Sequence, residues 1–271
     1  ALAVIQGLTE FLPVSSSGHL ALAHWLLGTG ADREASLPLT FVVMVHFGTL
    51  LAVVVYYRSD LGRLLAALLP ARFCPLGRKE QGQGRRLALL LLIATIPGAV
   101  GGYFLEDVVE GLINTPWAVG VALLVTAAAL LLSERVGKLQ RGETETTVAD
   151  AALIGLAQMC ALVPGISRSG SCIAAGLARG FDREWAPRFG FLMAVPVIAG
   201  GTLFKVLDLI SAGDAGQLGL YGLCALVSAV TGYVAILWVL RWVRQGYLRY
   251  FALYCGIVGL AAIIVSAAGL L

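Results

Sequence analysis

The chain has 271 residues, of which 59% are hydrophobic and only 13% are charged, and its mean hydropathy is +0.87. This composition excludes a soluble globular domain and predicts an integral membrane protein. The formal net charge of +3 is small, and only the positions of the basic residues along the chain are informative. The five cysteines form no CxxC pair, so we expect neither a disulfide nor a zinc site.

Apolar stretches of membrane-spanning length recur along the chain and predict about six full transmembrane helices. They occupy residues 39–57, 87–105, 117–133, 188–207, 217–240 and 250–269. The loop between the first two stretches carries seven basic residues, from Arg58 to Arg86, whereas the next connection, 106–116, is acidic and has none. By the positive-inside rule, the first loop faces the cytoplasm and the second faces outside.

Two polar stretches break the apolar pattern and resemble each other. QGLTEFLPVSSSG at 6–18 aligns without a gap on QMCALVPGISRSG at 158–170, with four identities in thirteen positions. Roughly three spans follow each copy. We therefore interpret the chain as a single membrane domain, 1–271, that arose by duplication, with repeat one at about 1–133 and repeat two at about 149–269.

The apolar pieces on either side of each polar stretch are too short to cross a bilayer. At 1.5 Å per residue they reach only about 15 to 23 Å, against about 30 Å of hydrocarbon. Each polar stretch is therefore predicted to be a re-entrant helix–turn–helix hairpin, broken by Pro13 or by Pro164 with Gly165. Three spans lie between the hairpins, so the repeats are inverted and their tips are expected to meet near the midplane. The expected fold class is an all-α polytopic membrane protein with an inverted-topology repeat.

Glu10 and Arg168 are the strongest indication of function, because a charged side chain at mid-bilayer costs about 2.5 to 3.5 kcal/mol. Gln6 shares a helix face with Glu10, and the tips add hydroxyls, an imidazole and a guanidinium that matches phosphate geometry. This set of groups is typical of phosphoryl transfer. On residue types alone, a structural ion pair between the two charges, or a secondary transporter or lipid flippase with a midplane site, stays open.

The paired motifs resemble those of the undecaprenyl pyrophosphate phosphatase family, also called the bacitracin resistance protein family. The first family motif, E/Q-x-x-x-E followed by P-x-S-S-x-G-H, is matched by Gln6, Glu10, Pro13, Ser15, Ser16, Gly18 and His19. The second, P-G-x-S-R-S-G-x-T, is matched by Pro164, Gly165, Ser167, Arg168, Ser169 and Gly170. The chain departs from the second motif at Cys172, where threonine is usual.

The resemblance implies a membrane phosphatase that hydrolyses undecaprenyl pyrophosphate to the monophosphate, which recycles the lipid carrier for peptidoglycan and other envelope polymers and confers bacitracin resistance. It implies the bacterial cytoplasmic (inner) membrane, a site open to the outer side, and a divalent cation, Mg or Ca, with Glu10 as a ligand. The catalytic residues expected by resemblance are Glu10, Ser16, His19 and Arg168. The expected substrate-binding residues are Gln6, Ser15, Ser17, Gly165, Ser167, Ser169, Gly170 and Cys172.

Some expectations stay open or are negative. The sequence does not decide whether Ser16 or His19 attacks phosphorus. His24, near a helix end, and His46, alone on an apolar span, are expected to have no catalytic role. The expected partners are a polyprenyl diphosphate substrate and membrane lipids, with no nucleic acid, and a homodimer is considered.

Overall fold

The computed structural model describes residues 1–27, 37–113, 115–135, 139–212 and 218–269. These ranges are almost entirely helical, which confirms the all-α class, and their one isolated β-bridge joins Arg141 to Phe181. The helices are α1 (Leu2–Phe11), α2 (Ser16–Leu27), α3 (Leu39–Tyr56), α4 (Arg58–Leu68), α5 (Arg78–Phe104), α6 (Glu106–Ile113), α7 (Pro116–Ser133), α8 (Val148–Cys160), α9 (Arg168–Ala178), α10 (Trp185–Ala212), α11 (Leu218–Arg244) and α12 (Leu248–Ala267). A short 3₁₀ helix, Glu143–Glu145, precedes α8.

Several helices have the length and composition of membrane spans. Among the described residues, α5, α7, α11 and α12 are long and apolar enough to cross a bilayer. Helices α3 and α4 meet at a 79° bend, and the count becomes five if this pair is one span. Helix α10, with 28 residues, covers the predicted stretch 188–207. The chain is therefore a multi-pass membrane protein, and each predicted stretch coincides with a helix.

The basic segment after the first apolar stretch is more ordered than the loop expected from the sequence. Helix α4 and the first turns of α5 take up most of it, because arginine, lysine, glutamate and glutamine are good helix formers. Near the start of α5, Gln81 donates a hydrogen bond to the Leu69 carbonyl at 2.9 Å and Arg85 donates one to the Ala67 carbonyl at 2.8 Å. These contacts bind α5 to the end of α4.

The two polar stretches form helix–turn–helix units at the predicted positions. Helices α1, α2, α8 and α9 have 10, 12, 13 and 11 residues, so each reaches only about 15 to 20 Å. The turns contain Pro13 in the first unit and Pro164 with Gly165 in the second. Gly165 has φ of 99° and Ser15 has φ of 70°, a left-handed conformation that is uncommon for serine.

The tips of the two hairpins meet, as the sequence predicted. A Cβ atom on Gly18 would lie 3.1 Å from the Gly165 Cα, and one on Gly170 would lie 3.2 Å from the Pro13 Cβ. Helix α1 packs on α11 and α8 packs on α5, so each hairpin lies against a helix from the other half of the chain. The duplication itself stays an interpretation of the sequence.

The apolar core fixes the end of α1 against α10. The Phe11 ring packs edge-on against the Phe191 ring, with centroids 5.5 Å apart and planes at 88°. Both side chains are almost completely buried. Because Glu10 directly precedes Phe11, this packing also sets the position of the carboxylate.

A buried aspartate anchors the second hairpin at the end of the molecule that carries the basic segment. Asp150, in the first turn of α8, accepts hydrogen bonds from Arg141 at 2.5 Å, from Arg179 at 2.7 Å and from the Thr147 backbone at 2.8 Å. Burial opposes ionisation of this carboxyl, but the hydrogen bonds from the arginines outweigh burial and hold the pKa of Asp150 below the ordinary aspartate value. The start of α8, the end of α9 and the segment before α8 are thereby held together.

Candidate active site

A cavity of about 300 Å³ lies where the two hairpin tips face α3 and α10. Its size is at the lower end of the range for small-molecule sites. Six residues that the sequence predicted for the site line it, namely Glu10, Ser15, Ser16, Ser17, Ser167 and Arg168. Apolar side chains complete the wall, among them Val42, Val43, Ile166, Val197 and Ile198. The cavity therefore combines a polar centre with apolar walls.

Glu10 connects the two hairpins. It lies in the last turn of α1, where only 5% of its side chain is exposed, and forms an ion pair with the Arg168 guanidinium. Its other carboxylate oxygen accepts hydrogen bonds from Ser16 Oγ at 2.5 Å and from Gln6 Nε2 at 2.9 Å. A buried carboxylate is stable only when it is paired and hydrogen-bonded, and these three donors meet that need. The contacts place a guanidinium and a hydroxyl beside one carboxylate.

The second tip is held by a residue that the sequence did not indicate. Thr126 of α7 donates a hydrogen bond to the Gly165 carbonyl and accepts one from the Ser167 backbone N–H, both at 3.0 Å. Ser167 then caps α9, because its hydroxyl accepts a hydrogen bond from the Gly170 N–H at 3.1 Å. Helix α9 begins at the next residue, Arg168, so Thr126 positions the guanidinium through the turn.

The first tip depends on an unusual backbone conformation. The left-handed conformation of Ser15 costs about 1 kcal/mol or more and turns the chain so that α2 begins at Ser16. The Ser15 hydroxyl lies 3.4 Å from the Gly18 N–H, from which it accepts. Across the interface, Ser169 Oγ donates to the Leu12 carbonyl at 2.9 Å. These contacts fix the two tips relative to each other.

His19 lies next to the cavity and is not among its lining residues. Its Nδ1 donates to the Ser15 carbonyl at 2.8 Å, and its Nε2 lies 2.7 Å from the hydroxyl of Tyr254 on α12. The two rings stack with centroids 5.5 Å apart. Since both ring nitrogens have protein partners, this arrangement holds the tip against α12. The predicted catalytic role of His19 stays a prediction.

Three further residues named in the sequence analysis do not line the cavity. Cys172 is buried against α10, where a Cβ on Gly190 would lie 3.1 Å from its own Cβ, and it does not line the cavity. Gln6 is fully buried beneath Glu10. His24 lies in the last turn of α2, as the sequence predicted.

Three polar residues that the sequence did not assign to the site also line the cavity. They are Thr9 on α1, His46 on α3 and Thr202 on α10. In the sequence, His46 is an isolated histidine on an apolar span, and no catalytic role is predicted for it. No periodicity signals the inward face of such a span, because α3 is apolar nearly all round.

The donor set fits a divalent cation that binds together with phosphate. The described residues contain no group of three or more His, Cys, Asp or Glu side chains close enough to hold a metal. Magnesium is commonly held by one or two carboxylates, with substrate phosphates and water completing the shell. Glu10 supplies one carboxylate, and the neighbouring amide oxygen of Gln6 is buried without a hydrogen-bond partner. A metal here would depend on ligands from the substrate.

These features define a class: multi-pass membrane proteins in which two broken-helix tips bring a carboxylate, an arginine and several hydroxyls to one cavity. Comparison with known families makes the assignment specific. Residues 1–261 match the family described as bacitracin resistance protein BacA, and the chain belongs to that family. The resemblance predicted from the two motifs is thereby confirmed.

Curated relatives align over nearly the whole chain. A protein of Rubrobacter xylanophilus is 44% identical over 93% of this chain and 92% of its own length. Proteins of Alcanivorax borkumensis and Desulforudis audaxviator are 41% and 40% identical, over 96% and 97% of this chain and 95% of each relative. All three are named undecaprenyl-diphosphatase.

Proposed function

We propose that this chain is an undecaprenyl-diphosphate phosphatase that hydrolyses undecaprenyl diphosphate to undecaprenyl phosphate and inorganic phosphate. Family membership and the name of the full-length relatives support this function. The observation that carries it is the ion pair and hydrogen bond that join Glu10 to Arg168 and Ser16 inside a cavity. Nothing in the comparisons favours the transporter that the repeat pattern had left open.

Arg168 and the ends of two helices bind the diphosphate. Helices α2 and α9 begin at Ser16 and Arg168, both of which line the cavity. The N-terminus of a helix carries partial positive charge and unpaired N–H groups, which favour a bound anion. The Arg168 guanidinium, with 20% of its side chain exposed, adds a full positive charge in a geometry that suits phosphate oxygens.

Ser16 is the proposed nucleophile. Its hydroxyl donates to Glu10 at 2.5 Å, so the carboxylate accepts the proton as Oγ attacks the terminal phosphorus. An Oγ–P bond forms, the bond from phosphorus to the bridging oxygen breaks, and undecaprenyl phosphate leaves. Water then attacks the phosphoserine, the Oγ–P bond breaks, Glu10 returns its proton to Ser16 Oγ, and inorganic phosphate leaves with both protons of the water. His19 is less suited to attack, since both of its ring nitrogens are bonded to Ser15 and Tyr254.

A divalent cation, Mg or Ca, is proposed to act at the same site. Glu10 and the amide oxygen of Gln6 would hold it together with the diphosphate. When bound, such an ion supplies positive charge that stabilises the developing charge on the phosphate oxygens. The protein residues keep their own roles, in which Arg168 binds phosphate and Glu10 holds the proton taken from Ser16.

The prenyl chain is expected to leave the cavity along its apolar wall into the surrounding lipid. Val197 and Ile198 of α10, with Val42 and Val43 of α3, form part of that wall. We propose the bacterial cytoplasmic membrane as the location, with the site open to the outer side and the basic segment from Arg58 to Arg86 on the cytoplasmic side. Contacts with membrane lipids and a homodimer are further expectations.

The function is tested by phosphate release from undecaprenyl diphosphate with the purified chain in detergent. We expect the unaltered chain to release phosphate, Ser16→Ala to lose at least about 100-fold of the rate, and EDTA to suppress release until Mg or Ca is restored. Thr95→Val is the matched control, because its hydroxyl bonds only to its own helix in α5. No release from well-folded unaltered protein would refute the phosphatase assignment.

A further inference from the structure

Thr202 lines the cavity and has a buried hydroxyl without a hydrogen-bond partner among the described residues. The residue is only 9% exposed, and the unpaired atom is its Oγ1. Threonines in apolar helices ordinarily donate to the carbonyl four residues earlier, as Thr9 does to Ile5 and Thr95 does to Leu91. A buried hydroxyl without a partner is unfavourable, so a bound group that accepts its proton would be stabilised there.

His46 faces the same cavity from α3. Its Nδ1 donates to the Val42 carbonyl at 2.8 Å, and since a carbonyl oxygen only accepts, this nitrogen carries a proton. Nε2 is therefore the ring atom that His46 can offer to a bound molecule; it accepts a hydrogen bond when the ring is neutral and donates one when the ring is an imidazolium. His46 and Thr202 belong to two neighbouring helices that pack against each other, outside both hairpin motifs.

A diphosphate bound in the cavity would require hydrogen-bond donors beyond those of the two tips. Glu10 and Arg168 neutralise each other before any substrate enters. A bound diphosphate then adds negative charge and several oxygens, and the two tips reach it from one side. Donors on α3 and α10 would bind oxygens that the tips leave unpaired.

We propose that His46 and Thr202 form a second diphosphate-binding wall opposite the hairpin tips. This inference rests on the proposed function, because it takes the ligand to be a prenyl diphosphate. Thr202 Oγ1 donates to one phosphate oxygen, and the His46 ring, as an imidazolium, donates to another through Nε2–H. Both residues are substrate-binding groups that the two motifs do not contain.

The test measures binding separately from hydrolysis. The probe is a prenyl diphosphate analogue with a methylene bridge between the two phosphorus atoms, bound to purified protein in detergent. We expect Thr202→Val and His46→Leu each to raise its Kd roughly tenfold, the effect of losing one hydrogen bond to a charged group. With hydrolysable substrate, KM should rise by a similar factor while kcat stays within about threefold.

Two further variants make the test specific. His46→Gln retains a hydrogen-bonding group near the Nε2 position and should bind the analogue within about threefold of the unaltered chain. Thr95→Val, with the same chemical change on α5, should leave Kd unchanged. Thr202→Val is nearly isosteric, and the elution profile and thermal midpoint of each variant establish that it is folded.

The outcomes separate this wall from the phosphatase assignment. Unaltered Kd values in folded Thr202→Val and His46→Leu would overturn the proposed wall even if phosphate release is normal. Analogue binding that weakens in these variants supports the wall, and absence of phosphate release from the unaltered chain would then refute only the phosphatase function. Absence of analogue binding to the unaltered chain would overturn the wall.

Discussion

The ion pair between Glu10 and Arg168 is the contact whose removal distinguishes an active site from a structural brace. Arg168→Ala leaves the Glu10 carboxylate, with 5% of its side chain exposed, without its charged partner. Removing one member of a buried pair costs about 3 to 5 kcal/mol, because the other charge stays buried and unpaired. The double variant Glu10→Gln with Arg168→Met removes both charges at similar volume, so its free energy of unfolding should lie within about 2 kcal/mol of the unaltered chain.

Stability and phosphate release should therefore respond differently in the double variant. Titration with SDS in mixed micelles gives the free energy of unfolding, and phosphate release gives the activity. Stability should largely recover in the double variant, whereas phosphate release should stay at least about 100-fold below that of the unaltered chain. Asp60 and Arg188, which form an ion pair between α4 and α10 outside the cavity, provide the control. Asp60→Asn with Arg188→Met should keep its phosphate release.

One result would refute this reasoning directly. If the double variant at Glu10 and Arg168 releases phosphate within tenfold of the unaltered rate, the pair is a brace and the chemistry lies elsewhere. Additive losses of stability for Glu10→Gln and Arg168→Met, each measured alone and then together, would also contradict it, because groups in direct contact should couple by about 1 kcal/mol or more.

Three further perturbations test the supports of the site. Thr126→Val should cost about 2 to 4 kcal/mol of unfolding free energy and lower phosphate release, because it leaves two backbone groups of the second tip buried and unpaired. Thr126→Ser should restore stability and phosphate release, and an unaffected valine variant would contradict the positioning role. Tyr254→Phe removes the hydroxyl bonded to His19 and should lower kcat several-fold, whereas an unchanged rate would show that the contact is dispensable. Below about pH 4 the unaltered chain should lose stability as Asp150 is protonated, because the pKa of Asp150 is lowered in the folded state. Asp150→Asn should have a lower free energy of unfolding than the unaltered chain at neutral pH, and this difference should shrink on acidification.

The fold was largely predictable because its signals lie along the chain. Apolar stretches of bilayer length coincide with long helices, and pieces too short to span coincide with α1, α2, α8 and α9. The basic segment was the exception. Its charges indicate a side of the membrane and say little about local conformation, so helix α4 and the early start of α5 were missed.

The site was predictable only where its residues are consecutive. Glu10, the run Ser15 to Ser17 and the pair Ser167 and Arg168 do line the cavity. Thr126 and Tyr254 reach the tips from other spans, 39 and 235 positions away from their partners. A polar residue in a span that is apolar all round gives no sign of the direction it faces, so His46 and Thr202 could be placed only by the fold.

The gap-free alignment of residues 6–18 on residues 158–170 explains how two similar hairpins form an asymmetric site. It places Ser16 on Arg168 and Glu10 on Leu162. Both second helices begin at the equivalent position, so two helix N-termini face the cavity and an anion meets partial positive charge from both halves. A carboxylate in each tip would repel phosphate, and an arginine in each would replace Ser16, the proposed nucleophile. In the proposed mechanism both hairpins therefore contribute a helix N-terminus to anion binding, while the difference at these two positions puts the proposed base and nucleophile in the first hairpin and the phosphate-binding arginine in the second.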